Sequence, residues 1–550
     1  MTVSAQTPRD RPTLVLVNAK IWTGGAARPW AEALAAAGDR LVAVGSNADV
    51  ERLVTAPGAV PSSGQLRRLD AGGALVVPGF IDSHVHFLVG GMRLTEVQLR
   101  AARSRAEFVE RIRAYAASVP TGTWITGGCW DHQNWGGELP TRDWIDRVTP
   151  DHPVWVTRLD GHMSLANSIA LRLAGVDANS KAVEGGTIDR DAAGRPTGLL
   201  RDNAMALVGR VLPNPSDAQL DRALRAAMQY VAQCGVTSIH HMGSFADLDV
   251  FERTRSAGAL TTRIYAAVPI HQWKRLGDTI ASKRFGLDGR GDEWLRIGML
   301  KGFVDGSLGS HTAAFTEPFT DAPHDRGLLV NTEADLETWA AAADRAGLQV
   351  AVHAIGDRAN RLMLDIYERV AQANGWRDRR FRIEHAQHLA ARDIPRFGAL
   401  GVVPSMQPYH AIDDGRWADK VIGPERARGT YAFRSLLATG ARPAFGSDWF
   451  VAPPTPLEGI YAAVTRRTLD DQHPDGWVPE QKITVEQALH AYTAGGAYAA
   501  FEEHDKGVLA APRLADFVVL ERNIFEIPGP EIRNVRVRMT VVGGRIVYSR

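Results

Sequence analysis

Six residues of metal-binding or nucleophilic type recur at one kind of place in this sequence. His84, His86, Lys301, His353, His385 and Asp448 each stand at the C-terminal end of a short apolar run that reads as a strand. The first run, Val77-Pro78-Gly79-Phe80-Ile81-Asp82-Ser83-His84-Val85-His86, closes on His-x-His. Side chains alternate along a strand, so both imidazoles fall on one face and can share a single metal ion. Lys301 is the odd member, because an ammonium repels a cation. Burial or neighbouring cations can neutralise it, and a neutral amine can add carbon dioxide to become an anionic carbamate that bridges two ions. Each residue alone has a plainer reading as a satisfied polar strand end, a surface lysine or a helix cap. Six at matching positions outweigh that reading.

Eight strand-like runs must position these groups. After the His-x-His run come 235–241, 262–268, 295–304, 348–353, 381–385, 401–406 and 442–448, with amphipathic helical segments between them such as 217–233, 333–346 and 357–374. Eight alternating units predict an α/β fold of the (β/α)8 barrel type, with its active site at the C-terminal ends of the strands. The barrel is expected over 76–92 and 203–504. Residues 93–202, too long for one barrel helix and rich in Gly and Trp, are expected to form an insertion overhanging the mouth. Short β runs at both ends, including the Gly543-Gly544 hairpin signal, predict a small β-sandwich built from 1–75 and 505–550.

The insertion carries Gly127-Gly128-Cys129-Trp130 and Asp160-Gly161-His162. Cys129 reads as an inert buried thiol. His162 reads as an active-site donor, against the alternative of a turn histidine bracing the insertion. His241, at the end of the second run, reads as lining the mouth or as a core polar group. The stretches 305–331 and 408–431 have loop composition, and loops of such length are usually functional. With Trp130, Trp135 and Trp417 in the lid, a partly aromatic or apolar substrate is expected.

The run Gly79–His86 resembles the metal-binding opening of the amidohydrolase superfamily. Asp160-Gly161-His162, Lys301-Gly302-Phe303-Val304-Asp305-Gly306-Ser307-Leu308-Gly309-Ser310, His353-Ala354-Ile355-Gly356-Asp357-Arg358-Ala359, Arg382-Ile383-Glu384-His385-Ala386-Gln387 and Gly446-Ser447-Asp448 resemble its branch containing N-substituted formamide deformylases. The resemblance implies one or two zinc or similar divalent ions. His84 and His86 would hold the more buried ion, and a carboxylated Lys301 would bridge. His353 and His385 would hold the second ion, while Asp448 would touch the first and act as base. It implies hydrolysis of a non-peptide C–N bond in an N-substituted formamide, N-acyl amine or carbamate, with His162, Trp130, His241 and Trp417 toward the substrate. Hydrolysis of cyclic amides or esters, deamination, and a non-catalytic binding protein stay open as alternatives.

Composition narrows the partners. Lys+Arg 63 against Asp+Glu 62 leaves a net charge of +1, so no nucleic acid or anionic membrane is expected as a partner. Two cysteines exclude a disulfide framework. The polar start, Met1 to Pro12, has no signal-peptide core, and a cytoplasmic protein is expected. A homodimer is the expected assembly on the general frequency of twofold oligomers.

Overall fold

The computed structural model describes residues 11–55 and 66–550. Eight parallel strands form its central sheet: β1 (Phe80–Val85), β2 (Val236–Met242), β3 (Arg263–Pro269), β4 (Leu295–Phe303), β5 (Gln349–Ala354), β6 (Arg382–His385), β7 (Val403–Met406) and β8 (Ala444–Phe445). Each pairs with its neighbour in chain order. The ring closes where β8 returns to β1: the Asp448 N–H donates to the His84 carbonyl at 2.7 Å, and the His86 N–H to the Trp449 carbonyl at 2.6 Å. These two bonds tie together three of the residues singled out above. Strands buried on both faces read as nearly continuous apolar runs, which is why the eight were legible.

Helices such as Asp217–Gln233, Glu333–Arg345 and Asp357–Asn374 cover the outside. Asp217–Gln233 starts from a Ser216 capping box and turns Leu224, Met228 and Val231 inward at helical spacing. β8 is shorter than the expected 442–448 run, so Asp448 lies beyond the strand in a left-handed backbone conformation (φ 58°).

The run 77–86 is divided. Leu75–Pro78 belongs to a separate six-stranded sheet, where it pairs with Phe517–Leu520, and only Phe80–Val85 enters the barrel. Gly79 makes the passage, since a Cβ there would meet Thr237 Oγ1 at 2.2 Å. The six-stranded sheet, ordered Arg545–Ser549, Val537–Val542, Phe517–Leu520, Leu75–Pro78, Lys20–Trp22, Trp30–Ala31, draws strands from both ends of the chain. A four-stranded sheet of residues from 14 to 70 packs against it through Leu14, Leu16, Ile21, Leu34, Val76, Phe517 and Val541. Between β1 and β2, the segment from Val97 to Asp202 builds another six-stranded sheet with its own core around Phe108, Ile112, Trp130 and Trp144.

Two readings of the lid change. Residues 305–331 carry no helix or strand, as loop composition implies. The stretch 408–431 instead forms three short helices, Pro408–Asp414, Ala418–Ile422 and Pro424–Ala427. Pro408 and Pro424 open two of them, where a missing N–H costs nothing. Burial of Ala411, Ile412, Val421 and Ile422 then overrides the polar composition. No helix among the described residues is long and apolar enough to cross a membrane.

Candidate metal and active site

β1 ends at Val85, and His86 follows in the first turn beyond it. The ring centroids of His84 and His86 are 5.6 Å apart, and both Nε2 atoms face Asp448 Oδ1, at 3.4 and 3.3 Å. His385 ends β6 with φ 71°, a left-handed turn-off that brings its ring 4.9 Å from that of His84 and 4.5 Å from that of His353. Lys301 Nζ lies 3.3 Å from His84 Nε2, packed over the Phe303 ring. The six residues therefore converge, from the ends of four strands and the turn beyond β8.

The second nitrogen of each histidine is held from outside. His84 Nδ1–H donates to Glu384 Oε2 at 2.5 Å, and His86 Nδ1–H to the Met242 carbonyl at 3.0 Å. His385 Nδ1–H donates to Gln407 Oε1 at 2.8 Å, and His353 Nε2–H to the Gly306 carbonyl at 2.9 Å. Such bonds fix tautomer and ring orientation and leave the other lone pair for a metal. Burial lowers the pKa of His84 to about 4 and those of His353 and His385 well below the usual value, so these imidazoles are neutral, as a ligand must be. Asp448 is held well below the usual carboxylate range despite its burial. Asp448 Oδ1 is buried and has no hydrogen-bond partner. An N2O donor set with an orphaned carboxylate oxygen fits a divalent ion such as zinc.

Beneath the site the barrel interior is charged. Arg382 and Glu384, two residues apart on β6, both point inward and are fully buried. Arg382 Nε donates to Glu384 Oε1 at 2.7 Å, and its other nitrogens reach the Ser83 carbonyl, Ser405 Oγ and His240 Nδ1 at 2.6, 3.0 and 2.9 Å. Glu384 passes this support to His84.

A cavity of about 70 Å³ opens above the cluster, walled by His162, Arg158, Asp160, Phe303, Asp414 and Trp417 among others. His162 Nδ1–H donates to Asp202 Oδ1 at 2.6 Å, and its ring lies 5.0 Å from that of His353. Burial would lower its pKa, but Asp202, with Asp160 and Asp305, more than offsets this and raises it. Asp160 accepts from Arg158 Nη1 at 2.6 Å and from Ser310 Oγ at 2.9 Å, which fixes the turn that carries His162.

Two proposed substrate contacts fall elsewhere. Trp130 is fully buried in the insertion's own core beside Phe108, with its indole N–H donating to the Val156 carbonyl at 2.9 Å. The Gly-rich run before it is a strand, Ile125–Trp130, rather than a lid loop. Trp135 packs in the same core. His241 accepts from the Phe87 N–H at 3.1 Å and donates to Asp247 Oδ2 at 3.2 Å, so both nitrogens are spent joining β2 to its neighbours. Trp417 does wall the cavity. Burial pushes the Cys129 thiol up, consistent with an inert group.

His410, on the helix Pro408–Asp414, was not legible in advance. Its ring stacks at 13° over that of His385, and it faces the cavity. Asp414, four residues on, accepts from Gln387 Nε2 at 2.8 Å and Tyr431 Oη at 2.6 Å. Burial pushes Asp414 up to about 7. With the folded pKa above the unfolded 3.8, the folded state binds more protons between pH 4 and 7, so this group's contribution to stability falls as pH rises through that window. Asp414→Asn removes the ionisable group and is expected to gain on the order of 2 kcal/mol over wild type at pH 8 relative to pH 4.5. Urea unfolding at the two pH values measures it, and an equal difference at both contradicts it.

The profile of the amidohydrolase family matches residues 67–548. This chain belongs to the amidohydrolase family. It is 41% identical over 547 residues to the protein LONG AFTER FAR-RED 3 of Arabidopsis thaliana, covering 97% of this chain and 91% of that one. It is 28% identical over 555 residues to the N-substituted formamide deformylase of Arthrobacter pascens, covering 98% of both. Among solved structures, a metal-dependent hydrolase from Pyrococcus horikoshii OT3 superposes with a TM-score of 0.75 at 26% identity, over 94% of this chain and 99% of that one. The eight-stranded barrel is thus that of a hydrolase in this family.

Proposed function

We propose that this amidohydrolase cleaves a non-peptide C–N bond in a small amide-type substrate: an N-substituted formamide, N-acyl amine or carbamate. The observation that carries it is the approach of His84 Nε2 and His86 Nε2 to Asp448 Oδ1 at the floor of a cavity. The end-to-end similarity to the Arthrobacter deformylase supports the choice of bond. His84, His86 and Asp448 would hold one divalent ion, and zinc suits these donors. On the family resemblance, Lys301, His353 and His385 would hold a second. An ion bound there supplies Lewis acidity, which lowers the pKa of water from about 15.7 to about 7.

The chain's own groups do the rest. Asp448, a buried carboxylate held below the usual range, takes the proton from water and gives it to the leaving nitrogen. His162, braced by Asp202, stands in the cavity wall to donate to the substrate carbonyl oxygen. Phe303 and Trp417 give an apolar wall to the nitrogen substituent. Burial lowers Lys301 to about 8, so a share of it is neutral at physiological pH. Addition of carbon dioxide to that amine, with loss of one proton, would make the bridging carbamate. Extra density at Nζ in a crystal structure tests this.

The zinc-loaded protein is expected to release amine from formamides, acyl amines or carbamates. It should stop on chelation and recover on return of zinc. Turnover confined to esters and lactones, or untouched by chelation, would overturn the reading.

A further inference from the structure

The carboxylates in the side wall of the cavity are not equivalent. Asp160 pairs with Arg158 at 2.6 Å, Asp131 with Arg158 at 3.0 Å and Arg416 at 3.4 Å, and Asp413 with Arg416 and Arg100. Asp414 has no ion-pair partner among the described residues. Its two bonds, from Gln387 Nε2 at 2.8 Å and Tyr431 Oη at 2.6 Å, come from neutral donors, and both fall on Oδ2. Oδ1 is left to the cavity that Asp414 lines. Burial pushes this carboxyl up to about 7, because the nearby cations balance its charge only in part.

Neighbouring groups in the same wall also lack donors. Gln387 Nε2 is spent on Asp414 and on His388 Nε2 at 3.0 Å, which fixes the amide and leaves Oε1 as an acceptor. His410 stands one turn before Asp414 on the helix Pro408–Asp414, so the two share a face. Its Nε2 is buried and has no partner in the protein, a state that native interiors seldom leave unanswered. Trp417, three residues beyond Asp414, lines the cavity as well.

We propose that Asp414 Oδ1 and Gln387 Oε1 bind an ammonium group of the substrate, so that the enzyme prefers amides whose nitrogen carries an alkyl chain ending in an amine. The proposal rests on the reading above for the bond that is cleaved. An alkylammonium brings both the N–H donors and the positive charge that this wall lacks. Trp417 adds an aromatic face, which attracts a cation. Phe303 and Trp417 flank the methylenes between the two ends. A methyl group in place of the ammonium would leave the acceptors desolvated and unpaired, and sites built on polar pairing discriminate most strongly against such analogues.

The test compares monoformylated α,ω-diamines with the N-alkylformamides in which a methyl replaces the ammonium. It uses the zinc-loaded full chain at pH 8, where Asp414 is ionised. Wild type is expected to favour the ammonium-ended member by at least about tenfold in kcat/KM, chiefly through KM. Asp414→Asn, which keeps the shape of the side chain, should cut that ratio by about 10–100-fold. Tyr431→Phe removes one donor from Oδ2 and should cut it by about threefold, which keeps the test open if the first variant folds poorly. A ratio near one in wild type overturns the proposal, as does a ratio unchanged in both variants. A hydroxyl-ended formamide that matches the ammonium-ended one overturns it too. If neither formamide turns over, the reading above fails, and calorimetric binding of the same pair decides the ammonium site. Tighter binding of the ammonium-ended member that Asp414→Asn abolishes supports it, and equal binding overturns it.

Discussion

Asp448→Asn is expected to lower kcat/KM for C–N hydrolysis by roughly 10³–10⁴-fold, the scale of a lost general acid–base group. The amide oxygen can still face His84 and His86 but cannot carry a proton from water to the leaving nitrogen. The loss should fall on kcat rather than KM, because Asp448 lies at the cavity floor while the side walls are formed by other residues. Steady-state kinetics on one formamide or acyl amine, with metal content measured in parallel, gives the answer. A variant with bound metal and activity within tenfold of wild type would contradict the assignment.

Arg382→Met carries the largest expected effect on stability, a loss of about 3–5 kcal/mol from leaving Glu384 as an uncompensated buried charge. Both side chains are fully buried, and Arg382 also holds the Ser83 carbonyl and Ser405. Burial would raise the pKa of Glu384, but Arg382 and His84 more than offset this and hold it well below the usual carboxylate range. Without the guanidinium, Glu384 would take up a proton more readily and orient His84 less firmly. The double variant Arg382→Met/Glu384→Leu should recover part of the loss, since an apolar replacement of the whole pair leaves no orphan. Urea unfolding of the single and double variants distinguishes the cases, and a single-variant loss below about 1 kcal/mol would show the pair to be dispensable.

What the chain disclosed in advance follows from which forces are local. Strand ends could be read because buried parallel strands are continuous apolar runs, and a histidine or aspartate that closes one is conspicuous. His84, His86, His353 and His385 are legible that way, and the fold brings them together with Lys301 and Asp448. His410 escaped because its segment has the composition of a loop, and its helix exists only through the burial of Ala411 and Ile412. Trp130 is expected at the mouth because its segment is rich in Gly and Trp and reads as an overhanging insertion, with Gly127 and Gly128 shortly before it. They lie in a strand where Gly127 and Gly128 have φ near 100°, and the indole faces inward. Glu384 stood in plain view beside His385, yet its bond to a histidine 300 residues earlier depends on ring closure. Asp202, forty residues beyond His162, reaches it through the antiparallel pairing of Met163–Ala166 with Pro196–Asp202 inside the insertion, a non-local pairing of another kind.

The central claim is that charge-neutral imidazoles and one carboxylate gather around a cation. Anomalous diffraction from a zinc-loaded crystal at the zinc absorption edge tests it most directly. The account predicts a peak within about 2.0–2.2 Å of His84 Nε2, His86 Nε2 and an Asp448 oxygen. A crystal that shows no peak there, from protein that turns over an amide substrate, would contradict it.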